Sequence, residues 1–181
     1  NIYSRIQRST NHEVEIITAM PNYPFGKIFK GYGSFYKRDF INDVVVHRTY
    51  IYPTNSLKFF KRIWNYFSFV ISSLFTGFFK IKEADIIFVE SPPLFLGLSA
   101  YLLCKMKRAK LIFNVSDLWP ESAIALGVIR KGFIYKMAII LEEFLYKQSW
   151  LITGQSDGIV QNIKSRFKSL DVIKLSNGVD T

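Results

Sequence analysis

Short apolar runs alternate with longer helical stretches along almost the whole chain, and this alternation limits the possible folds more than any other feature. The runs that predict strands are 14–18, 44–52, 85–90, 110–115, 150–153 and 172–175. The stretches that predict helices are 57–82, 94–107, 133–149 and 157–168. Proline and glycine cluster between these elements, as turns require. Strands that alternate with helices predict an α/β fold, in which helices cover both faces of a parallel sheet.

The composition is that of a folded domain without a metal centre. The chain has 181 residues, of which 49% are hydrophobic and 17% aromatic, so it can bury a core and is not disordered. The single cysteine, Cys104, cannot form an internal disulfide, and its apolar neighbours predict a buried thiol. With one cysteine and two distant histidines, we expect no metal site and no cofactor. No secretory leader pattern opens the sequence, so we expect a cytoplasmic protein.

The net charge of +10 indicates an anionic partner. The basic residues form clusters at Lys27/Lys30, Lys37/Arg38, Lys58/Lys61/Arg62, Lys80/Lys82 and Lys105/Lys107/Arg108/Lys110. These clusters flank helices rich in aromatic residues, which favours a membrane surface over nucleic acid. No nucleic-acid-binding motif is present, so we expect no nucleic-acid partner. The alternative is a basic surface that serves solubility alone.

An uncharged run of 17 residues, 63–79, raises the question of a membrane span. Its length is at the short limit for a spanning helix, and it contains Asn65 together with several serines and threonines. Lysines flank both ends and therefore give no orientation signal. We expect a helix that packs on the sheet with one aromatic edge at a lipid surface. A true span is the alternative.

An acidic loop, residues 117–122, follows the apolar run Leu111–Val115 directly. Ligands in open α/β sheets bind beyond the carboxyl ends of the strands, so Asp117 and Glu121 are expected at the mouth of a cleft. Two carboxylates with Trp119 between them can hold the hydroxyls and the apolar face of a sugar. The alternative is that Asp117 caps a helix whose first turn contains Pro120 and Glu121.

Three further segments combine a possible ligand contact with a plainer structural role. The loop 21–27 has two prolines and a glycine, and its Lys27, with Lys30, can meet a diphosphate or simply be solvated. The turn 91–93, with two prolines, is expected to shape the cleft. Glu90, at the end of the strand before it, is expected to be structural, and the alternative is that it reaches the cleft. Ser156 and Asp157 begin a helix and serve either a phosphate or as a cap. Lys164 and Arg166 on that helix are expected to face outward.

Five stretches resemble, in the same order, segments of bacterial family 4 glycosyltransferases. They read AMPNYPFGKIFKGY (19–32), DIIFVESPPLFLG (85–97), NVSDLWPESAIALG (114–127), LEEFLY (141–146) and SNGVD (176–180). Within that family the chain is most similar to a branch that resembles the fucosaminyltransferases of O-antigen and capsule assembly (WbuB-like). Because the five stretches are spread over nearly the whole chain, the resemblance covers most of its length.

The resemblance implies that residues 1–181 are the N-terminal, Rossmann-like, acceptor-binding domain of a retaining GT-B enzyme. Both ends then look cut: residues 2–8 resemble the end of a helix, the strand before it is missing, and the C-terminal nucleotide-sugar domain is absent. The whole enzyme would move a hexosyl or N-acetylhexosaminyl group from a UDP-linked sugar to a polyprenyl-diphosphate-linked saccharide. It would work at the inner face of the bacterial plasma membrane as a peripheral protein. The chain alone is expected to be inactive.

The resemblance also implies roles for individual residues. Asp117 is the candidate catalytic residue, as an acceptor-positioning group first and a base second. The candidate substrate-binding residues are Asn22, Lys27, Lys30, Ser91, Pro92, Ser116, Trp119 and Glu121. The family often has histidine or arginine where this chain has Ser116, which removes a charged donor. There are two alternatives. One is a non-catalytic module whose basic surface binds a membrane, and the other is a sugar epimerase of the GT-B fold.

Overall fold

The computed structural model describes residues 12–56, 58–125 and 132–176. The chain divides into two compact units after Lys82. The strands are β1 Glu15–Ala19, β2 Tyr36–Ile41, β3 Val44–Thr49, β4 Ile86–Ser91, β5 Lys110–Val115, β6 Leu151–Gly154 and β7 Val172–Lys174. The helices are α1 Phe59–Lys80, α2 Leu96–Lys107, α3 Glu121–Ala125, α4 Phe133–Gln148 and α5 Asp157–Arg166. The predictions for residues 2–8 and 177–180 lie outside the described residues.

The first unit contains a three-stranded mixed sheet in the order β1-β3-β2. β1 and β3 run parallel, as predicted. β2 was not predicted, and it pairs antiparallel with β3 through a two-residue turn. That turn is Asn42-Asp43, and both residues have positive φ, of 50° and 69°. Asn and Asp tolerate this conformation, and two such residues make the tight hairpin turn that matches the twist of the strands.

A polar stripe along α1 joins this helix to the end of β3 and the segment after it. Asn65 Nδ2 donates to the Tyr52 carbonyl at 2.5 Å, and the Tyr52 N–H donates to Ser68 Oγ at 2.7 Å. Thr76 Oγ1 donates to Thr49 Oγ1 at 2.9 Å. Three polar side chains of the uncharged run therefore serve packing, which confirms the prediction of a helix on the sheet. No helix within the described ranges is long and apolar enough to cross a membrane.

The second unit is a four-stranded parallel sheet in the order β4-β5-β6-β7, with helices in the connections between its strands. This arrangement confirms an α/β, Rossmann-like architecture. Phe113 on β5, Leu145 on α4 and Ile163 on α5 are fully buried in its core. α2 packs closely on this core at Gly97, where an added Cβ would lie 2.6 Å from both Leu145 Cδ1 and Phe113 Cε2. Cys104, also on α2, is buried as predicted.

Candidate functional site

The carboxyl ends of β4, β5 and β6 place three polar residues side by side. Glu90 pairs in register with Asn114, and Asn114 pairs with Thr153. The chain continues from β5 into Ser116, whose N–H donates to the Ser91 carbonyl at 2.9 Å. It continues from β6 into Gln155, whose N–H donates to the Val115 carbonyl at 3.2 Å. The parallel register therefore aligns polar side chains along one edge, where ligands of such sheets bind.

A line of hydrogen bonds joins these strand ends. Gln155 Nε2 donates to Ser116 Oγ at 2.6 Å, and Ser116 Oγ donates to Glu90 Oε1 at 3.0 Å. Asn114 Nδ2 also approaches Ser116 Oγ, at 3.5 Å. A hydroxyl has one donor and two acceptor positions, so the Ser116 hydroxyl is fully engaged within the protein. We call Gln155, Ser116 and Glu90 the polar line.

A buried pair of side chains, Thr153 and Asn114, contacts the polar line at Ser116. Thr153 Oγ1 donates to Asn114 Oδ1 at 2.6 Å, and both residues are at most 4% exposed. Glu90 at the other end of the line is exposed, so the Ser116 hydroxyl orients a carboxylate that faces solvent. Sequence reasoning missed Gln155 and Asn114, and for Glu90 it favoured a structural role over a place at the cleft. The available signal was the recurrence of a polar residue at the end of three consecutive strands.

Asp117 lies at the same edge of the sheet, directly after Ser116 of the polar line and two residues after the end of β5. Its carbonyl accepts from the Trp119 N–H at 2.9 Å, which turns the chain sharply, and its side chain is half-buried. α3 begins four residues later, at Glu121. Among the described residues, the first turn of α3 makes no hydrogen bond to the Asp117 carboxylate. The capping alternative for Asp117 therefore has no bond to support it in this part of the chain.

Trp119 packs against the protein on at least one side. Its ring lies 5.9 Å from that of Phe95 in an edge-to-face arrangement, and it borders the core of the second unit. The bond before Pro120 is cis, as are those before Pro92 and Pro93. The indole is half-buried, so part of it stays accessible at the edge of the sheet. Stacking of Trp119 on a sugar stays a prediction.

Arg166 joins Glu121 to a buried carboxylate, and the expectation that Arg166 faces outward is wrong. Its Nη1 donates to Glu121 Oε1 and to Glu142 Oε1, both at 3.3 Å, and its Nη2 bonds Glu142 Oε2. Glu142, from the stretch 141–146, is 0% exposed. Burial raises the pKa of Glu142 above its ordinary value, and the hydrogen bond from Arg166 acts in the opposite direction. Outward exposure holds for Lys164.

Ser156 caps the N-terminus of α5. The Ile159 N–H donates to Ser156 Oγ at 3.3 Å, the usual arrangement for a serine before a helix. Asp157 accepts from Lys174 Nζ at 2.6 Å. The contacts of Ser156 and Asp157 are therefore those of a helix cap and an ion pair, as in the structural alternative to a phosphate site.

The remaining predicted residues lie in the first unit, in the loop after β1. Asn22 Nδ2 donates to the Met20 carbonyl at 2.8 Å, which fixes the start of the loop. Gly26 has a φ of 61°, and an added Cβ would lie 2.3 Å from the backbone nitrogen of Asn55, so only glycine fits there. Lys27 and Lys30 are exposed. Ser91, Pro92, Ser116, Asp117, Trp119 and Glu121 belong to the second unit.

Residues 12–56, 58–125 and 132–176 contain no group of three histidine, cysteine, aspartate or glutamate side chains that could hold a metal ion. At the edge of the second unit lie carboxylates, amides and hydroxyls. Such groups bind and orient the hydroxyls of a polar ligand.

The chain is similar to part of a known protein. No family model matches the chain. Over 135 residues, 74% of its length, the chain is 30% identical to the putative colanic acid biosynthesis glycosyl transferase WcaI of Escherichia coli (strain K12). The aligned part is 33% of that protein, so the chain spans about one third of the length of this relative. The similarity is thus to one part of a glycosyl transferase.

Proposed function

We propose that this chain is the acceptor-binding part of a retaining GT-B glycosyltransferase in bacterial polysaccharide synthesis, of the WbuB-like branch of family 4. The observation that carries the proposal is the polar line beside Asp117 at the carboxyl edge of a parallel sheet. The five ordered stretches and the similarity to a glycosyl transferase of colanic acid biosynthesis support it. Polysaccharides of this class include O-antigen, capsule and exopolysaccharide.

The proposed reaction moves a hexosyl or N-acetylhexosaminyl group from a UDP-linked sugar to a polyprenyl-diphosphate-linked saccharide. A bond forms between the acceptor hydroxyl oxygen and the anomeric carbon, and the bond from that carbon to the diphosphate breaks. The nucleoside diphosphate leaves with the electron pair, and the acceptor hydroxyl loses its proton. In the resembled enzymes a second domain holds the nucleotide, so we expect residues 1–181 alone to be inactive.

Asp117 acts in this proposal by holding the acceptor hydroxyl in line with the anomeric carbon, and secondarily by accepting its proton. Because the Ser116 hydroxyl is fully engaged, it contributes by orienting Glu90 rather than through a free lone pair. The exposed Glu90 carboxylate is then a second acceptor for substrate hydroxyls. Trp119 offers an apolar surface to a sugar ring, and Glu121 offers a further carboxylate.

The remaining candidates are Ser91 and Pro92 in the second unit and Asn22, Lys27 and Lys30 in the first. Ser91 and Pro92 form the wall after β4, where Ser91 is buried. Lys27 and Lys30 are exposed ammonium groups that suit the diphosphate of a lipid-linked acceptor. Asn22 holds the loop that carries them.

We further propose that α1 binds the anionic inner face of the plasma membrane and keeps this cytoplasmic enzyme near its acceptor. One face of α1 leaves large apolar side chains exposed: Phe60, Trp64, Ile71, Phe75, Phe78 and Phe79. Lys58, Lys61, Arg62 and Lys80 are exposed at its two ends. Aromatic side chains between cations fit the interface of an anionic bilayer. The same surface favours the second candidate function, a non-catalytic module that binds membranes.

The decisive experiment supplies the complete protein with a lipid-linked saccharide and each common UDP-sugar and follows sugar transfer. We expect transfer from one donor with retention of anomeric configuration, and none by residues 1–181 alone. Absence of transfer with every donor, together with salt-sensitive binding to anionic vesicles, would favour the non-catalytic module. Turnover by residues 1–181 alone would contradict the expected need for a second domain.

A further inference from the structure

Glu142 is a carboxylate that the fold buries completely. It lies on α4 and is 0% exposed, and its two oxygens both meet the guanidinium of Arg166 on α5. A buried carboxylate is costly unless a cation and hydrogen bonds compensate it. The planar fork of arginine suits this two-bond contact, in which the side chain has little freedom left. Arg166 is therefore held in a single orientation by Glu142.

The orientation of Arg166 directs one nitrogen towards the acidic loop. Nη1, which bonds Glu142 Oε1, also donates to Glu121 Oε1 at the same distance of 3.3 Å. Glu121 is the first residue of α3 and ends the loop that begins at Asp117. The Arg166 guanidinium also lies over the Phe167 ring, 5.1 Å from its centroid, and Tyr146 packs edge-on against that ring at 5.8 Å. Packing and charge thus fix the cation from several sides.

Glu121 keeps one oxygen outside this network. Its Oε2 is buried and has no hydrogen-bond partner among the described residues, while Oε1 is taken by Arg166. Because Oε2 is closed to solvent, Arg166 is the group among the described residues that holds this carboxylate by a hydrogen bond. The orientation of the Glu121 carboxylate therefore depends on the bond from Arg166 Nη1 to Oε1.

We propose that Arg166 is a positioning residue that acts through Glu121, with Glu142 as its buried support. Arg166 fixes the Glu121 carboxylate and with it the end of the acidic loop that begins at Asp117, so that this loop meets the acceptor in one geometry. The acceptor part rests on the proposed function, whereas the control of Glu121 by Arg166 does not.

A double-mutant cycle in the complete enzyme tests this. The variants are Arg166→Lys, Glu121→Gln and their combination, with Lys164→Ala, an exposed change on the same helix, as control. We expect Arg166→Lys and Glu121→Gln each to raise the acceptor KM roughly tenfold with the donor KM unchanged. The double variant should match Glu121→Gln alone, because Arg166 acts through that residue. An equal extra loss from Arg166→Lys in the Glu121→Gln background, or an unchanged KM in Arg166→Lys, would overturn the proposal.

Amide hydrogen exchange over residues 117–125 separates this proposal from the proposed function. If the wild-type enzyme transfers no sugar, the proposed function fails, and exchange alone decides the role of Arg166. We expect exchange there to be at least about tenfold faster in Arg166→Lys than in Lys164→Ala. If Arg166→Lys does not fold, Glu121→Gln, which keeps the Arg166–Glu142 pair, should show the faster exchange. Unchanged exchange in the folded variants would refute the role of Arg166.

Discussion

The Gln155 side-chain amide donates to the Ser116 hydroxyl at 2.6 Å, and this bond ties the end of β6 to the end of β5. Ser116 stands where the resembled family often has a charged donor. Here the short hydroxyl instead forms the centre of a line that ends at Glu90 Oε1. The neutral Ser116 hydroxyl thus orients the Glu90 carboxylate, and each link of the line can be tested.

Ser116→Ala should break the polar line while leaving the fold intact. Gln155 loses this acceptor and Glu90 loses this donor. Because Glu90 is exposed and can be solvated, we expect the free energy of unfolding to fall by about 0.5–1.5 kcal/mol. In the complete enzyme the acceptor KM should rise with little change in the donor KM. Ser165→Ala is the matched control, because Ser165 is exposed and bonds only its own helix, at the Asn162 carbonyl. Equal behaviour of the two variants in chemical denaturation and kinetics would contradict the role of Ser116.

Asp117→Ala in the complete enzyme should lower kcat by roughly 100-fold or more, because the acceptor hydroxyl loses its alignment. The donor KM should stay close to that of the wild type. Asp117→Asn keeps the shape of the side chain and separates positioning from proton acceptance: partial activity indicates positioning, and none indicates a base. Asp171→Ala, an exposed aspartate before β7, serves as control. Normal turnover in Asp117→Ala would exclude Asp117 from the reaction.

The sequence predicts the long elements of this fold well, because their patterns are strong. The run 110–115 is β5 residue for residue, and the stretch 57–82 contains α1 with a small shift at each end. β2 escaped prediction because Tyr36–Ile41 reads as a basic, mixed segment, and its signal was the Asn42-Asp43 turn that follows. Hairpin formation depends on such turn residues more than on hydrophobic periodicity.

The sequence predicts the candidate site less completely, because several of its contacts join residues that are far apart in the chain. Asp117 and Glu121 were found from their place after a buried strand, which is a local signal. Arg166 was misassigned, since its position on α5 suggests an exposed face, while its partner Glu142 lies 24 residues earlier on another helix. Gln155 was missed for the same reason: its contact with Ser116 joins residues 39 positions apart. The register of the sheet brings Gln155 to Ser116, whereas the packing of two helices brings Arg166 to Glu142.

Gly97→Ala should destabilise the second unit. The new methyl group would lie 2.6 Å from both Leu145 Cδ1 and Phe113 Cε2, in a part of the core that is fully buried. Overpacking of this kind costs about 1–3 kcal/mol. Gly158→Ala is the control, because its nearest atom, Ser156 Oγ, is 3.9 Å away and alanine suits a helix. A chemical denaturation curve for Gly97→Ala that coincides with that of the wild type would contradict this packing.

Cys104 should react slowly with thiol reagents at neutral pH. Burial raises the pKa of the Cys104 thiol from its ordinary value of 9.0 to about 11, and the charge of nearby Lys105 opposes this only in part. The folded state favours the neutral thiol, so its contribution to stability is present below pH 9 and is lost as the pH rises through about 11. The single cysteine makes iodoacetamide labelling unambiguous. A native labelling rate that already saturates near pH 9, as in the unfolded chain, would refute the burial effect.

The apolar face of α1 should provide most of the affinity for anionic vesicles. Trp64 and Phe75 are each 58% exposed, so replacing both with serine removes large apolar surfaces without disturbing a core. We expect vesicle affinity to fall at least about tenfold, since interfacial binding scales with the apolar area inserted. Trp150→Ser is the matched control: Trp150 is 50% exposed, and Lys110 Nζ lies 4.4 Å from its ring centroid, but it belongs to the second unit.

Binding should also weaken in high salt, because the lysines and arginine at the ends of α1 attract the lipid headgroups. If Trp64→Ser/Phe75→Ser binds phosphatidylglycerol vesicles as tightly as Trp150→Ser does, α1 is not the membrane contact, and the basic clusters elsewhere on the chain become the surfaces to test.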